Sequence, residues 1–331
     1  MEKNMAGIAW LYEMDKDNGH ASNLQCINTV FEQPWYLDAA TNGKAQTIVY
    51  EKGGNPLAWI PCVVKKRFGK DVLTNPPFMQ TSGVCFADPE WKQSTHLESQ
   101  KDSIDAIIDR IPKKTSVDIF LCPCCQYVLP WAWKGFKITP YFSHRLRDLS
   151  DEKTCWDNLR YSTRHNIRKA QKIVHIRDDM PIETLIELQD KTFARQHRGN
   201  PFDVEGFRRL DAALREHNAC KLLCAVDEEN RVHAAAYYVF DEHCCYYLYG
   251  GGDPELRASG AASLVVWEGI RFAATVSQIF DFEGSMIEDI ERFFRGFGGK
   301  PEVYYRVTRL CARHRFAEWI KPTVKKILGY K

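Results

Sequence analysis

The chain has 331 residues, of which 44% are hydrophobic and 27% are charged, a composition typical of a soluble globular protein. Its 45 basic and 43 acidic residues leave a formal net charge of +2, so net charge alone indicates no nucleic acid or other charged partner. The length predicts two domains. No stretch approaches the roughly 20 apolar residues of a membrane span, and the N-terminus lacks a signal-peptide pattern, so we expect a cytoplasmic protein.

The first half is predicted to be a mixed α/β domain, which we place at residues 1–150. Residues 46–66 are typical of two strands joined by a Gly-Gly-Asn turn, and the prolines of NPPFMQTSG (75–83) exclude a central strand there. A helix is predicted at 99–111, because Ile104, Ile107, Ile108 and Ile111 recur at helical spacing.

Twelve cysteines occur in the chain, three of them in the CPCC sequence at 122–125. In a long chain without an export signal we expect reduced and mostly buried thiols. CPCC contains one Cys-x-x-Cys pair, but a metal site needs a second ligand pair at suitable spacing, and none is evident. We therefore predict no metal.

The second half is more regular, and we place a second domain at 151–309. The predicted elements are helices near 154–173, 181–196 and 203–218, strands at 221–227, 231–240 and 244–250, a helix at 259–276, a strand at 279–283, a helix at 288–296 and a strand at 301–308. We therefore expect a mixed sheet covered by helices in each half.

We predict that residues 310–331 form a basic amphipathic helix. This helix either docks on the protein itself or lies on an anionic membrane.

A glycine-rich connection between a strand and a helix is the most informative segment. Arg257-Ala-Ser-Gly-Ala-Ala262 opens the predicted helix, whose first turn carries unpaired N–H groups and a partial positive charge. Small residues there let a phosphate approach the backbone, and an arginine adds charge. The candidate phosphate-binding residues are Arg257, Ser259, Gly260, Ala261 and Ala262. The alternative is that Gly260 and the alanines only permit close packing.

The same segment resembles the R/Q-x-x-G-x-G/A loop of the GNAT acyltransferases, which binds the pyrophosphate of acetyl-CoA. The wider sequence is similar to the FemAB-like branch of that superfamily in four pieces: 75–83, 159–172, 250–274 and 280–299. The resemblance implies an α/β (α+β) fold of two tandem GNAT-like domains, and transfer of an acyl or aminoacyl group to an amine.

The chain departs from the resemblance at one position. Arg295 stands where the Fem peptidyltransferases have a lysine. Arginine binds anions but does not lose its proton near neutral pH, so a binding role survives the change and a base role does not.

The sequence FDFEG (280–284) suggests the reacting end of the site. On a strand at 279–283, Asp281 and Glu283 point to one face, while Phe280 and Phe282 point to the other. Gly284 allows a sharp turn and leaves backbone exposed to a ligand. We expect Glu283 to act as general base on the acceptor amine or to hold its ammonium group, with Asp281 and Gly284 in the acceptor site.

Two tyrosines of the adjoining strand complete the catalytic candidates. Tyr247 and Tyr249 are placed to hydrogen-bond the carbonyl or the leaving group. The competing interpretation has Glu283 salt-bridged to Arg292 or Arg295, with both tyrosines simply packed.

A basic stripe is predicted on the helix at 154–173. Four cations recur every four residues: Arg160, Arg164, Arg168 and Lys172. Like charges at this spacing destabilise a helix, so an anionic partner or nearby acidic side chains should compensate them. We expect Arg164, Arg168 and Arg295 to hold anionic parts of the donor or acceptor; the alternative is a solvated face.

The sequence thus predicts an N-acyltransferase that uses acetyl-CoA or another acyl-CoA. The acceptor is a small-molecule or peptide amine, with or without a phosphate. An aminoacyl-tRNA-dependent transferase acting on a cell-wall precursor is one alternative, and a non-catalytic binding module of the same fold is another. These hypotheses also lead us to expect peripheral membrane contact and tRNA binding.

Overall fold

The computed structural model describes residues 12–13, 29–87, 93–195, 203–312 and 314. The chain divides into two compact units, which we call the first unit (Met1–Tyr141 with Tyr304–Lys331) and the second unit (Phe142–Val303). The predicted second domain ends at 309, whereas this division assigns residues from Tyr304 onward to the first unit. Most of the predicted basic helix at 310–331 lies outside the described residues.

The described strands and helices alternate along most of the chain. The strands are β1 (Tyr12–Glu13), β2 (Gln46–Lys52), β3 (Asn55–Arg67), β4 (Lys70–Thr74), β5 (Cys85–Phe86), β6 (Ser116–Leu121), β7 (Lys137–Leu146), β8 (Val174–Arg177), β9 (Cys220–Asp227), β10 (Val232–Phe240), β11 (Cys244–Gly252), β12 (Ile279–Asp281) and β13 (Lys300–Arg309). The helices are α1 (Pro34–Thr41), α2 (Gln93–Arg110), α3 (Leu129–Trp133), α4 (Glu152–Asp157), α5 (Tyr161–Ala170), α6 (Glu183–Arg195), α7 (Val204–Glu216), α8 (Ala261–Val276) and α9 (Glu288–Arg295).

The sheet of the first unit is mixed. Strands β2, β3 and β4 pair antiparallel, β4 and β6 pair parallel, and the Tyr305–Arg309 part of β13 pairs antiparallel with β6. The isoleucines at 104, 107, 108 and 111 are all buried in the core of this unit, which confirms the predicted apolar face of the helix.

The sheet of the second unit is also mixed, in the order β7-β12-β11-β10-β9-β8. Only β11 and β12 run parallel; the other neighbours are antiparallel. Helix α8 covers one face, where Tyr238 donates to the Val265 carbonyl, and α7 covers the other, where Tyr237 donates to Asp211. Strand β8 was not predicted, because its four residues are too short to show a period.

The predicted helix at 154–173 is wrong, because two helices occupy this segment. Between α4 and α5 the chain turns so that Leu159 enters the core and the Arg160 N–H donates to the Gly296 carbonyl at 2.9 Å. These long-range contacts are invisible to a local periodicity. Arg160 and Lys172 therefore fall outside α5, and the predicted stripe is reduced to Arg164 and Arg168 on one helix.

No helix within the described ranges combines the length and the apolar character needed to cross a bilayer.

Candidate active site

The parallel strands β11 and β12 pair over only three positions. The last pair is Tyr246 with Asp281, where β12 ends, whereas β11 continues to Gly252. The next residue of the chain after β12, Phe282, donates its N–H to the His144 carbonyl at 3.0 Å and so stays beside β7. The two parallel strands therefore part after Tyr246. The predicted strand at 279–283 is two residues too long for this reason.

A β-bulge in β11 separates the two tyrosine candidates. The register between β10 and β11 shifts at Leu248. Tyr247 lies on the α8 side, with its ring centroid 5.6 Å from that of Phe294, while Tyr249 lies on the α7 side, 5.4 Å from Phe207. Bulges often redirect a side chain beside a site. The two phenols consequently serve opposite faces of the sheet.

Glu283 carries a half-buried carboxylate, and no hydrogen bond or ion pair links that carboxylate to any described residue. Its backbone has φ 55°, an unusual value for a non-glycine residue, and its N–H donates to Asp281 Oδ1 at 2.7 Å. Burial raises the pKa of Glu283 well above its usual value; the charge of Asp281 adds to this rise and Arg145 opposes it. The alternative in which Glu283 pairs with Arg292 or Arg295 is not found.

Tyr249 shares the electrostatic surroundings of Glu283. Burial raises the pKa of the Tyr249 phenol above its usual value, and the Glu283 carboxylate contributes to that rise. Tyr249 lies on the face of the sheet opposite the Phe280–Phe282 core, and the charge of Glu283 acts on its phenol. The structure thus brings Tyr249, and not Tyr247, to the side of the acid.

Asp281 is buried and its oxygens are occupied by groups from β7. Ser143 Oγ donates to Oδ1, and Arg145 donates Nε to Oδ2 at 2.6 Å, with a second Arg145 nitrogen also 2.6 Å from Oδ2. Asp281 Oδ1 also accepts the Glu283 N–H. These contacts suit a residue that positions Glu283 more than one that offers an open oxygen to a substrate.

Ser143 and Arg145 were not singled out in the sequence. Their available signal is the alternation Ser143-His144-Arg145-Leu146 in an extended segment, which places the polar pair on one face and Leu146 on the core face. That pattern alone does not reveal which carboxylate the pair contacts.

Gly284 makes the predicted sharp turn, with φ 67°. A Cβ built on Gly284 would lie 2.1 Å from the Phe142 carbonyl oxygen, so the chain's own backbone fills that side. The turn is therefore as expected, but this side of the glycine is closed to a ligand.

The segment 257–262, here called the donor loop, joins β11 to α8. Arg257–Ser259 form a single 3-10 turn, Gly260 has φ 83°, and α8 begins at Ala261. Ser259 Oγ accepts the Ala261 N–H at 3.3 Å. No described residue accepts the Ala262 N–H, and both Ala262 and Arg257 are exposed. These two groups fit an anion approaching the helix N-terminus.

Gly260 also has a packing role. A Cβ at this position would stand 2.5 Å from the Asn166 carbonyl oxygen of α5, so the two helices approach closely only because no side chain is there. Lys169 of α5 donates to the Ala258 carbonyl at 2.7 Å and brings a positive charge to the donor loop. The packing interpretation thus holds for Gly260, and it leaves the N-terminal amide of Ala262 open.

A family model described as "Acetyltransferase (GNAT) domain" matches residues 157–285. This range contains the donor loop, both tyrosines and Glu283. Residues 157–285 are thus similar to a GNAT domain. The predicted resemblance to the GNAT superfamily with a FemAB-like fold, and the mixed α/β class with GNAT-like sheets and covering helices, are confirmed to that extent.

Solved structures agree with this GNAT and FemAB-like architecture. The crystal structure of FemX is 12% identical, with TM-score 0.62, and the match covers 86% of this chain and 94% of that one. A conserved protein of unknown function from Bacteroides thetaiotaomicron VPI-5482 is 12% identical, with TM-score 0.57 and coverage of 91% and 99%. The C-terminal domain (DUF2156) of a putative lysylphosphatidylglycerol synthetase from Agrobacterium fabrum is 11% identical, with TM-score 0.55 and coverage of 92% and 95%.

No curated protein matches the chain in a sequence search. The GNAT match supports acyl transfer in general and specifies neither donor nor acceptor.

The three arginines predicted to bind substrate each contact their own chain. Arg164 donates to the Asp157 carbonyl at 2.8 Å, and the Arg168 guanidinium lies 5.4 Å from the ring centroid of Trp156. Arg295 pairs with Glu291 at 3.3 Å but keeps 59% of its side chain exposed. The positive charge of Arg164 thus has a compensating carbonyl that the sequence did not reveal.

His144 is a buried polar residue that the sequence analysis missed. Its Nδ1 has no hydrogen-bond partner among the described residues, and its Nε2 lies 3.4 Å from Glu291 Oε1. Burial lowers the pKa of His144; Glu291 opposes that effect and Arg295 adds to it. The imidazole is therefore neutral at neutral pH and belongs to the α9 side of the sheet, away from the Glu283 face.

Proposed function

We propose that the protein is an N-acyltransferase that moves an acyl group from acyl-CoA to a substrate amine by direct attack. The observation that carries the proposal is the Glu283 carboxylate. The residue is half-buried, its carboxylate has no partner among the described residues, and its pKa is raised; it follows the point where β11 and β12 part, and its charge acts on Tyr249.

In the proposed reaction, Glu283 takes a proton from the acceptor ammonium group. The freed nitrogen attacks the thioester carbonyl carbon, the new C–N bond forms and the C–S bond breaks. The nitrogen then loses its surplus proton and the leaving thiolate takes up one proton, while Glu283 returns its own proton to solvent. A carboxylate whose pKa is raised towards the working pH is a better general base than an ordinary glutamate. Burial keeps Tyr249 protonated, so its phenol is a donor for the carbonyl oxygen or the leaving sulfur.

The donor loop is the proposed site for the diphosphate of CoA. Arg257 and the Ala262 N–H are its exposed donors, and the N-terminal end of α8 adds a partial positive charge. The remaining residues fix the conformation of the loop. Ser259 Oγ accepts the Ala261 N–H, and Gly260 has no side chain that would block the close approach of α5. Lys169 adds a second cation beside Arg257.

Calorimetry with acetyl-CoA tests the donor. We expect one binding site, and about tenfold weaker binding for Arg257→Ala, the usual loss for one charge-assisted hydrogen bond. Arg209→Ala is the matched control, because Arg209 is also exposed but lies on α7. Undetectable acetyl-CoA binding, or an Arg257→Ala variant that binds like the parent, would overturn the acyl-CoA assignment.

Aminoacyl-tRNA is the second candidate donor, with a cell-wall precursor as acceptor. The exposed cations of α5 beside the donor loop favour it, since Arg168 and Lys169 both lie on the outer side of that helix. Binding through phosphates releases counterions, so tRNA affinity should fall steeply as salt rises. Salt-independent or absent tRNA binding, together with tight acetyl-CoA binding, excludes this candidate.

A further inference from the structure

A turn in the first unit brings three cysteine sulfurs together. Strand β6 ends at Leu121 and is followed directly by Cys122-Pro123-Cys124-Cys125. Cys122 and Cys124 form a disulfide, and Cys125 Sγ lies 3.6 Å from Cys122 Sγ. All three sulfurs lie within 4.8 Å of one another. No metal was predicted because the sequence shows no second ligand pair, but the third sulfur comes from the same tetrapeptide.

Backbone hydrogen bonds hold this cysteine turn independently of the disulfide. The Cys122 N–H donates to the Ser82 carbonyl at 2.9 Å, and the Cys125 N–H donates to the Cys122 carbonyl at 2.9 Å. The Val84 N–H also donates to Cys125 Sγ at 3.4 Å. An N–H that points at a sulfur orients that sulfur as a ligand. The turn therefore keeps its three sulfurs close when the disulfide is reduced.

The spacing of the sulfurs suits a single soft metal ion. At a metal–sulfur distance of about 2.3 Å, tetrahedral ligands lie roughly 3.8 Å apart, close to the separation of Cys122 and Cys125. Thiolates select thiophilic d10 ions such as Zn²⁺ and Cu⁺. Within the described residues no further histidine, cysteine or carboxylate joins the group, so such an ion would keep an open position.

We propose that the reduced cysteine turn binds one thiophilic d10 ion, Zn²⁺ or Cu⁺, through the thiolates of Cys122, Cys124 and Cys125. Reduction by a dithiol converts the disulfide to two thiols and the dithiol to its own disulfide. Binding then releases the three thiol protons to solvent. Reoxidation by a second disulfide, which is itself reduced to two thiols, joins Cys122 to Cys124 again, removes two of the three ligands and releases the ion. This site is independent of the acyl-transfer proposal.

The test uses the full chain, reduced and freed of reductant under nitrogen. Co²⁺ is titrated as a spectroscopic stand-in for Zn²⁺, and Cu⁺ is titrated in a second arm against a coloured chelator. We expect one equivalent to bind, sulfur-to-cobalt charge-transfer absorption that Zn²⁺ abolishes, and no binding to the oxidised protein. Binding in only one arm identifies the ion.

Cys124→Ser is the decisive variant, because Cys124 is exposed and its replacement leaves the core intact. Loss of one of three ligands should weaken binding on the order of 100-fold. Cys220→Ser, which removes a partly buried thiol of the second unit, should bind like the parent. The proposal is overturned if neither ion binds the reduced protein, or if Cys124→Ser or the oxidised protein binds as tightly as the reduced parent.

Discussion

The turn at 281–284 carries one carboxylate at its base and one at its lip, and the two differ in their hydrogen-bond partners. Asp281, at the base, is buried and receives donors from Ser143, Arg145 and the Glu283 backbone. Glu283, at the lip, has no partner for its carboxylate among the described residues. A buried charge is tolerated when it is paired, and an unpaired one shifts its pKa. The first arrangement stabilises the turn, and the second leaves the carboxylate that we propose as the general base.

The contrast extends to the backbone. A non-glycine residue in the left-handed region costs roughly 1–3 kcal/mol and persists only where its surroundings fix it. Glu283 has such a conformation, and the hydrogen bond to Asp281 fixes it. In this turn the backbone conformation of Glu283 lowers the stability of the protein, and the hydrogen-bonded carboxylate of Asp281 raises it.

Asp281→Asn should have the largest effect on stability. Removing one member of a buried ion pair leaves the other uncompensated and typically costs about 3–5 kcal/mol. Among the described residues, Glu302 at 3.7 Å would be the one acidic group left beside Arg145. We expect a loss of this size in urea unfolding. Asp289→Asn is the control, because Asp289 forms an exposed pair with Arg292 that is worth at most about 1 kcal/mol. Equal losses for the two variants would contradict the positioning role of Asp281.

Gly284→Ala should have the next largest effect. A new Cβ would stand 2.1 Å from the Phe142 carbonyl oxygen in addition to meeting a positive φ, and we expect a loss of about 3 kcal/mol. Gly54→Ala is the matched control: Gly54 has φ 81°, and nothing lies within 4 Å of its built Cβ. Gly54→Ala should lower the free energy of unfolding by about 1–2 kcal/mol, because only the strained backbone conformation contributes. Similar losses would show that the approach of β7 is unimportant.

Glu283→Gln should have the smallest effect on stability, and with the opposite sign. The folded protein holds the Glu283 proton more tightly than the unfolded chain does, so Glu283 lowers stability as pH rises above about 4.3. Glutamine does not titrate. The variant should therefore be more stable than the parent at neutral pH, and the difference should vanish near pH 4. Urea unfolding from pH 4 to 8 measures this; parallel curves would exclude a raised pKa.

The sequence predicted the fold well wherever a local period was strong. The isoleucine face of α2, the meander β9–β11 and helix α8 all follow from spacing that each segment carries by itself. The break between α4 and α5 and the early end of β12 were missed, because contacts with Gly296 and His144, distant in sequence, determine them.

Part of the site was predictable for the same reason. Local sequence is enough to mark three features of the candidate site: the acid Glu283, the turn residue Gly284 and the donor loop at the start of a helix. The roles of Ser143, Arg145 and Lys169 were not predictable, since each depends on a partner 89 or more positions away, the shortest being Lys169 to Ala258. The separation of Tyr247 from Tyr249 arises from a one-residue bulge that no propensity marks.

Turnover of acetyl-CoA with a panel of primary amines tests the central claim most directly. Release of free CoA is followed by chromatography across pH for the parent, Glu283→Gln and the exposed control Glu228→Gln. We predict amine-dependent release by the parent and the control, with an acid limb above the pKa of an ordinary carboxyl. Turnover should fall by about 100-fold or more in Glu283→Gln, the usual loss of a general base. Unchanged turnover in Glu283→Gln would contradict the account, and no release with any amine would favour a non-catalytic binding module.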